Sequence, residues 1–357
     1  MKKATVTKQH VGVDMSKDDF KACIMERLEN DNVRVKASRS FKNTLLGYKS
    51  FISWVLKKTS KDLSLHFSME ATGVYHEDLA YYLYEQNYSV SILLANTVKA
   101  YLRSLNVKTK TDKSDAKCIA QMGIERNLKA WHPISSQMRH LKQLTRERGN
   151  IQKEKTALSN KLHALNHSHL PSKEVLKLIK QRIKLLEKQL EQMNVQIEKS
   201  VMKDDFLKER IGKICVLKGL GLISVVTIIA ETNGFQHFSS KAQLVSYAGY
   251  DVVENQSGTS INGKTRISKK GNSRIRKALH FPALTAKKHE PVFEDLYDRI
   301  FERTKIKMKA FVAIQRKLLI MVYTLFKNNV AFDSNYHKDI SEKEQNCRQD
   351  TMPAYAG

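Results

Sequence analysis

Two carboxylates, Asp112 and Asp115, stand three residues apart in KTKTDKSDAK, among four lysines. On a helix that spacing puts both on one face. Two further acids close apolar segments: Asp14 ends VGVD and Glu70 ends LSLHFSME. An acid at the end of a buried strand is costly unless water, a cation or a metal meets it. Singly, each has an ordinary structural explanation, of the kind that Asp18 and Asp19 have in the turn MSKDD. Together, two strand-end acids and a helical pair could converge on Mg²⁺, or on Mn²⁺ in its place, because hard ions take oxygen ligands. Two such ions can activate a nucleophile and stabilise the leaving oxygen in phosphodiester cleavage.

Bringing these acids together requires a particular element order. HVGVDM, FKACIMERL and VRVKASRSF read as three strands. The polar joins MSKDD and ENDN suit tight turns, so the strands should form an antiparallel meander. A helical pattern follows in NTLLGYKSFISWVLKK, then the strand LSLHFSME, a helix from about His76 to Glu85, the strand YSVSILL and more helix. Three antiparallel strands followed by αβαβ is the order of an α/β ribonuclease H-like fold. From Met138 to Val201 the period changes. Leu141, Leu144, Ile151, Leu158, Leu162 and Leu165 recur at heptad spacing, with Arg148 and Lys155 at two intervening core positions. After NHSHLPS, Ile179, Ile183, Leu186, Leu190, Met193 and Ile197 resume it. The pattern predicts two long helices joined at Pro171, as an antiparallel hairpin or a dimerising coiled coil.

The remainder reads as mostly α-helical. VLKGLGLISVVTIIAE is a glycine turn leading into an apolar helix. Such a turn either offers backbone N–H groups to a phosphate or simply precedes a buried helix. A glycine-, serine- and lysine-rich loop, VENQSGTSINGKTRISKKGNSRIRKAL, follows, and an amphipathic helix runs roughly from Ile306 to Asn328. The tail after Phe332 is polar and is expected to be flexible.

Composition narrows the partner class. The chain carries a net charge of +26 over 357 residues, with 41% hydrophobic content. Lys and Arg release counterions from phosphates on binding, so nucleic acid is the leading partner. Four cysteines form no CxxC pair, which supports neither a zinc ribbon nor a disulfide framework. Lysines near the N-terminus precede no apolar segment, so no secretory signal is expected, and no apolar run reaches membrane-spanning length. A cytoplasmic protein acting at the nucleoid is the expectation. His163, His167 and His169 read as a polar hairpin tip in preference to a zinc site.

Three blocks in the first part, VGVDMSK, SMEATGVYHEDLAYYL and KTDKSDAKCIAQMG, resemble the DEDD-type RuvC-like domain of IS110-family insertion-sequence transposases. Later, LKGLGLISVVTIIAETNGFQHFSSKAQLVSYAGYDVVENQSG and ISKKGNSRIRKAL resemble that family's C-terminal transposase domain. The blocks occur in the family's order, from about Val11 to Asn328, with a long helical segment between. Two prolines common in relatives are absent, from LLANTVKA and YAGYDVVENQSG, which blurs only the subgroup. The resemblance implies a RuvC-like DEDD domain over residues 1–130, a coiled-coil hairpin over 131–205, a transposase domain with a catalytic serine over 206–332, and a tail over 333–357. It assigns Asp14, Glu70, Asp112 and Asp115 to the acidic tetrad. It further implies a recombinase that excises and inserts a mobile element, acts on DNA with a structured guide RNA, and assembles as a dimer to tetramer.

The resemblance also makes Ser257, in QSG, the favoured nucleophile, ahead of Ser268 in ISKKG and then Ser260. The residues alone read as a serine–glycine turn in a basic surface loop, since a serine is a weak nucleophile until activated. Lys264, Arg266, Lys269, Lys270, Arg274 and Arg276 follow closely and could hold a scissile phosphate. Tyr247 and Tyr250 lie nearby and are read as packing residues. Two rivals remain: a metal-dependent junction-resolving nuclease without a serine step, and a non-enzymatic nucleic-acid-binding assembly protein.

Overall fold

The computed structural model describes residues 5–71, 73–105, 112–254, 256–257, 261–263 and 265–333; at 112, 113, 256, 257, 261 and 262 it describes the backbone. The chain divides into two compact units, Met1–Pro133 and Ile134–Gly357.

The first unit runs β1 (Val6–Met15), β2 (Asp19–Leu28), β3 (Val33–Lys42), α1 (Leu45–Lys58), β4 (His66–Glu70), α2 (Glu77–Glu85), β5 (Ser89–Leu93), α3 (Ala95–Ser104) and α4 (Asp112–Glu125). One five-stranded sheet has the order β3-β2-β1-β4-β5. The first three strands pair antiparallel, while β4 and β5 lie parallel to β1. This is the mixed sheet that the meander-then-αβαβ order calls for.

Strand alternation divides the sheet into two unlike faces. Val11 and Val13 of β1 and Phe67 and Met69 of β4 enter an apolar cluster with Phe51 and Val55 of α1 and Leu79 and Leu83 of α2. On the opposite face β1 and β4 carry small and polar residues, while Cys23 and Met25 of β2 form an apolar cluster with Ala116, Ala120 and Ile124 of α4. There Gly12 lets α4 approach the sheet backbone to backbone: a Cβ added at Gly12 would lie 2.2 Å from the Ala120 N and 2.5 Å from the Ala116 O. His10 stands under Gly123 in the same way. Its Nε2 is 2.8 Å from Ser68 Oγ, and that hydroxyl donates to the Ile119 carbonyl at 3.3 Å. Lys8 Nζ donates to the Gly123 and Ile124 carbonyls at 2.9 and 2.8 Å, a cation at the helix C-terminus where the macrodipole favours one. Burial, aided by the charges of His66 and Lys8, pushes the His10 pKa down to about 3, so its imidazole is neutral at ordinary pH.

The second unit runs α5 (Ser136–Asn166), α6 (Lys173–Met202), α7 (Asp205–Cys215), α8 (Leu222–Glu231), α9 (Lys241–Ala248), β6 (Val252–Val253), β7 (Gln256–Ser257), β8 (Ile261–Asn262), β9 (Arg266–Ile267), α10 (Ser273–Ala278), α11 (His280–His289), α12 (Pro291–Thr304) and α13 (Lys307–Asn328). Ser135 and Ser172 cap α5 and α6 through their side chains. The two helices form an antiparallel pair around Ile151, Leu158, Ile179, Leu186 and Leu190. The basic residues at core positions of the heptad have cross-helix partners: Arg148 Nε donates to Asn194 Oδ1 at 2.7 Å, and Lys155 Nζ meets Glu187 Oε1 at 2.9 Å.

The apolar α8 is buried in a core shared with α13 residues such as Ile314, Leu318 and Val322. Gly219 has φ +108°, and a Cβ there would lie 2.8 Å from the Pro282 carbonyl oxygen. The glycine segment is therefore a tight turn before a buried helix. The segment expected as a loop after α9 is instead a β-hairpin. Val252 pairs with Ile267 and Val253 with Arg266, then Gln256 with Asn262 and Ser257 with Ile261. Ladders of two residues in a polar stretch leave no alternation to read. No helix among the described residues is long and apolar enough to cross a membrane. The tail from residue 334 lies outside the described residues.

Candidate functional site

Asp14 and Glu70 fall at the same end of two neighbouring interior strands. Gly12 and Ser68 are register partners on the face that α4 covers. Two residues further along each strand, on that same face, stand Asp14 and Glu70, the carboxyl ends of β1 and β4. Both are half-buried, as is Asp115. Because Ala116 and Ala120 lie over Gly12 while Gly123 lies over His10 and Lys8, α4 runs opposite to β1. Its first turn therefore lies toward the strand ends. Position 112 continues the sheet-facing row of 116, 119 and 123, and 115 is one residue short of Ala116. Ser114 Oγ is 3.4 Å from Asp115 Oδ1. The side chain of Asp112 lies outside the described residues, and among those described no group of three His, Cys, Asp or Glu is close enough to hold a metal. The donor chemistry at these strand ends, carboxylate oxygens, fits a hard divalent cation better than zinc, which favours Cys and His.

Asp18 and Asp19 keep a turn role, with Ser16 Oγ donating to Asp19 Oδ1 at 2.7 Å. His163 and His167 meet edge to face, with ring centroids 4.6 Å apart, near the end of α5.

The two leading serines sit at opposite ends of the hairpin in the second unit. Ser257 is in the last described rung, opposite Ile261. Ser268 is at the root, where its N–H donates to the Asp251 carbonyl at 2.8 Å and its Oγ accepts from Lys270 N. Ser260 and Lys264 lie outside the described residues. Root rungs continue from Lys269 N to the Gly249 carbonyl at 3.1 Å and from Asn272 N to the Tyr247 carbonyl at 2.7 Å. Arg266, Lys269 and Lys270 are exposed along this segment, and Arg276 is committed to the Ala248 carbonyl at 2.7 Å. Tyr250 is buried, with its hydroxyl donating to Gln315 Oε1 at 3.0 Å.

A constellation not foreseen from the sequence sits at this root. Glu231, the last residue of α8, is buried and receives Arg146 of α5 on both oxygens, at 2.7 and 3.0 Å. Asn272 Nδ2 donates to its Oε2 at 2.8 Å, and the Tyr247 hydroxyl donates to its backbone carbonyl at 3.1 Å. Burial alone would raise the Glu231 pKa, but the bonds from Arg146 and Asn272 outweigh it and hold the carboxyl below its ordinary range. The one available signal was a lone acid closing an otherwise apolar helix; its partners lie up to 85 residues away.

Comparison with known proteins now adds to this geometry. Residues 11–171 match the DEDD transposase model of IS110-type elements, and residues 213–298 match the transposase family IS116/IS110/IS902. The pilin gene-inverting proteins of Moraxella bovis and Moraxella lacunata are each 28% identical over 334 residues, 93% of this chain and 100% of theirs. An IS110 protein of 43.6 kDa from Streptomyces coelicolor is 24% identical over 118 residues, 33% of this chain and 29% of its own. Among solved structures, T. thermophilus RuvC in complex with a Holliday junction substrate is similar at 14% identity and TM-score 0.26, over 34% of this chain and 99% of that one. A DEDD transposase domain implies dependence on a divalent metal. The chain is thus similar, in this order, to two transposase models of the IS110 type.

Proposed function

We propose that this protein is a transposase-recombinase that excises and inserts a DNA element, with the carboxylates in its first unit and a serine in its second. The observation that carries the reading is the ordered pair of transposase matches over a chain in which Asp14 and Glu70 close neighbouring strands. Asp14, Glu70, Asp112 and Asp115 would hold a divalent cation, Mg²⁺ or Mn²⁺, which when bound supplies Lewis-acid polarisation of a phosphate oxygen. Ser257 Oγ attacks the phosphorus of one phosphodiester; a bond to a deoxyribose oxygen breaks, and that oxygen takes up a proton. The seryl ester keeps the bond energy until the hydroxyl of an incoming strand attacks it and restores the serine. Lys264 and Arg266 would offset the phosphate charge around that exchange, while Lys269, Lys270, Arg274 and Arg276, toward the hairpin root, would hold flanking phosphates. A guide RNA and a homo-oligomeric assembly through the α5–α6 hairpin complete the reading; the surplus of +26 supports a polyanion partner. The inversion named for the Moraxella relatives is recombination within one DNA molecule, a reaction the same exchange would perform.

The experiment is recombination of donor and target plasmids, with the RNA transcribed from the element's flank, by the parent and by Ser257→Ala, Ser268→Ala and Asp115→Ala. Loss in Ser257→Ala and in Asp115→Ala, a serine-linked DNA end in the parent, and arrest by EDTA are expected. Full activity in Ser257→Ala removes that serine from the mechanism. Hydrolysed ends without a covalent species favour the junction-resolving nuclease instead.

A further inference from the structure

More positive charge gathers at Glu231 than the carboxylate requires. Arg146 and Asn272 already give it three donors within 3.0 Å. Arg274 nevertheless brings its Nε to 3.9 Å from Oε1, beyond hydrogen-bond reach, and Lys142 adds its field from α5. One negative charge thus stands behind three positive ones. The glutamate side chain is 0% exposed, whereas those of Arg146 and Arg274 are 41% and 49% exposed. A buried ion pair kept for stability needs a single cation. Two half-exposed guanidinium groups with donors still unused suit a phosphate, whose oxygens match their fork.

The backbone around this cluster is held in one shape. Gly271 passes so close to Tyr247 that an added Cβ would lie 2.5 Å from its carbonyl oxygen. Lys269 holds φ +53°, and Asn272 both caps α10 and binds the carboxylate. The cluster lies at the root of the hairpin whose last described rung holds Ser257. We propose that Arg146 and Arg274, held around the buried carboxylate, clamp a backbone phosphate of duplex DNA at the root of that hairpin, with Glu231 as the positioning residue. The proposal rests on the reading of the chain as a DNA recombinase.

The test is the affinity of the full chain for a fluorescein-labelled DNA duplex of mixed sequence, by anisotropy over a salt series. Arg274→Gln should weaken binding roughly five- to tenfold near 0.1 M salt and make the slope of log K against log salt shallower by ~0.9, one phosphate contact. Its melting temperature should match the parent, because Glu231 keeps its three donors. Glu231→Gln separates positioning from simple charge: removing an anion beside DNA should tighten binding, whereas losing the alignment of Arg146 and Asn272 should weaken it. Unchanged affinity and slope in Arg274→Gln, or tighter binding by folded Glu231→Gln, overturns the clamp. So does an effect seen only with an RNA hairpin and not with the duplex. If Arg274→Gln melts early, Arg274→Lys decides: the clamp expects weaker binding at unchanged slope, and parental affinity overturns it. No strand exchange enters this assay, so an active Ser257→Ala variant would sink the serine mechanism while leaving the clamp untouched.

Discussion

Gly12→Ala is expected to lift α4 from the sheet. The added methyl would lie 2.2 Å from the Ala120 N, 2.5 Å from the Ala116 O and 2.7 Å from the Ala120 Cα, all backbone atoms that no rotamer change can clear. Ordinary contact begins at 3.4 Å, so the helix must retreat by about 1.2 Å. Overpacking of this kind costs about 1–3 kcal/mol. With a urea dependence of about 2 kcal/mol per molar, the unfolding midpoint of the first unit should drop by about 1 M. The two tryptophans, Trp54 and Trp131, both pack in that unit, so their fluorescence follows its unfolding. The retreat also carries the first turn of α4 away from the ends of β1 and β4. A displacement near 1 Å between reacting groups costs about 10²-fold in rate. Plasmid recombination below the unfolding midpoint should therefore fall by about that factor. A variant that unfolds with the parent would refute the seating of α4 on β1. One that is destabilised yet recombines normally while folded would show that α4 does not align the acids.

Three further outcomes follow from the same physical reasoning. His10 and His66 are held neutral chiefly by burial, His10 at about 3. Their folded pKa values lie below the unfolded 6.5, so stability is full above that pH and is lost as pH falls toward 3. For His10 alone the loss at pH 5 is about 2 kcal/mol, read by urea titration of tryptophan fluorescence at pH 7 and pH 5; an unchanged midpoint would contradict it. Gly149 in α5 and Gly212 in α7 have open space where a Cβ would go, so Gly149→Ala and Gly212→Ala should each stabilise by about 0.5–1 kcal/mol in a circular-dichroism melt. Glu231→Ala leaves Arg146 and Asn272 without their acceptor. Removing one partner of a buried pair costs about 3–5 kcal/mol; because Arg146 is 41% exposed and water can reach it, about 2–3 kcal/mol is expected in the same melt.

The sheet was legible because β1 and β4 change character on alternate residues. Val11, Val13, Phe67 and Met69 mark one face as core, while Gly12 and Ser68 mark the other as a seat for close backbone approach. The two long helices were legible because a heptad repeats over many turns. Even Arg148 and Lys155, which break that repeat, turn out to have cross-helix partners. The hairpin over 252–267 has no signature in the sequence, because its ladders are set by backbone bonds in a stretch without apolar alternation. The Glu231 cluster was missed for another reason. Arg146, Glu231, Tyr247 and Asn272 come from four separate segments, and only packing of α5, α8 and the hairpin root gathers them. Asp14 and Glu70 could be put at strand ends from the sequence, but the direction of α4 across them depends on the Gly12 contact.

The polar rungs of the helical pair have a mechanical consequence. An apolar heptad is nearly indifferent to a slide of seven residues, since one leucine replaces another. Arg148–Asn194 and Lys155–Glu187 are not indifferent, because the same slide in one direction would set Lys155 against Lys180 and strand its charge. The pair is therefore keyed to one alignment. At 31 residues, α5 extends about 46 Å. A keyed strut of that length transmits displacement without slipping, so whatever grips its tip can push or turn its base. Arg146, two residues before the first of those rungs, sits where that motion would arrive.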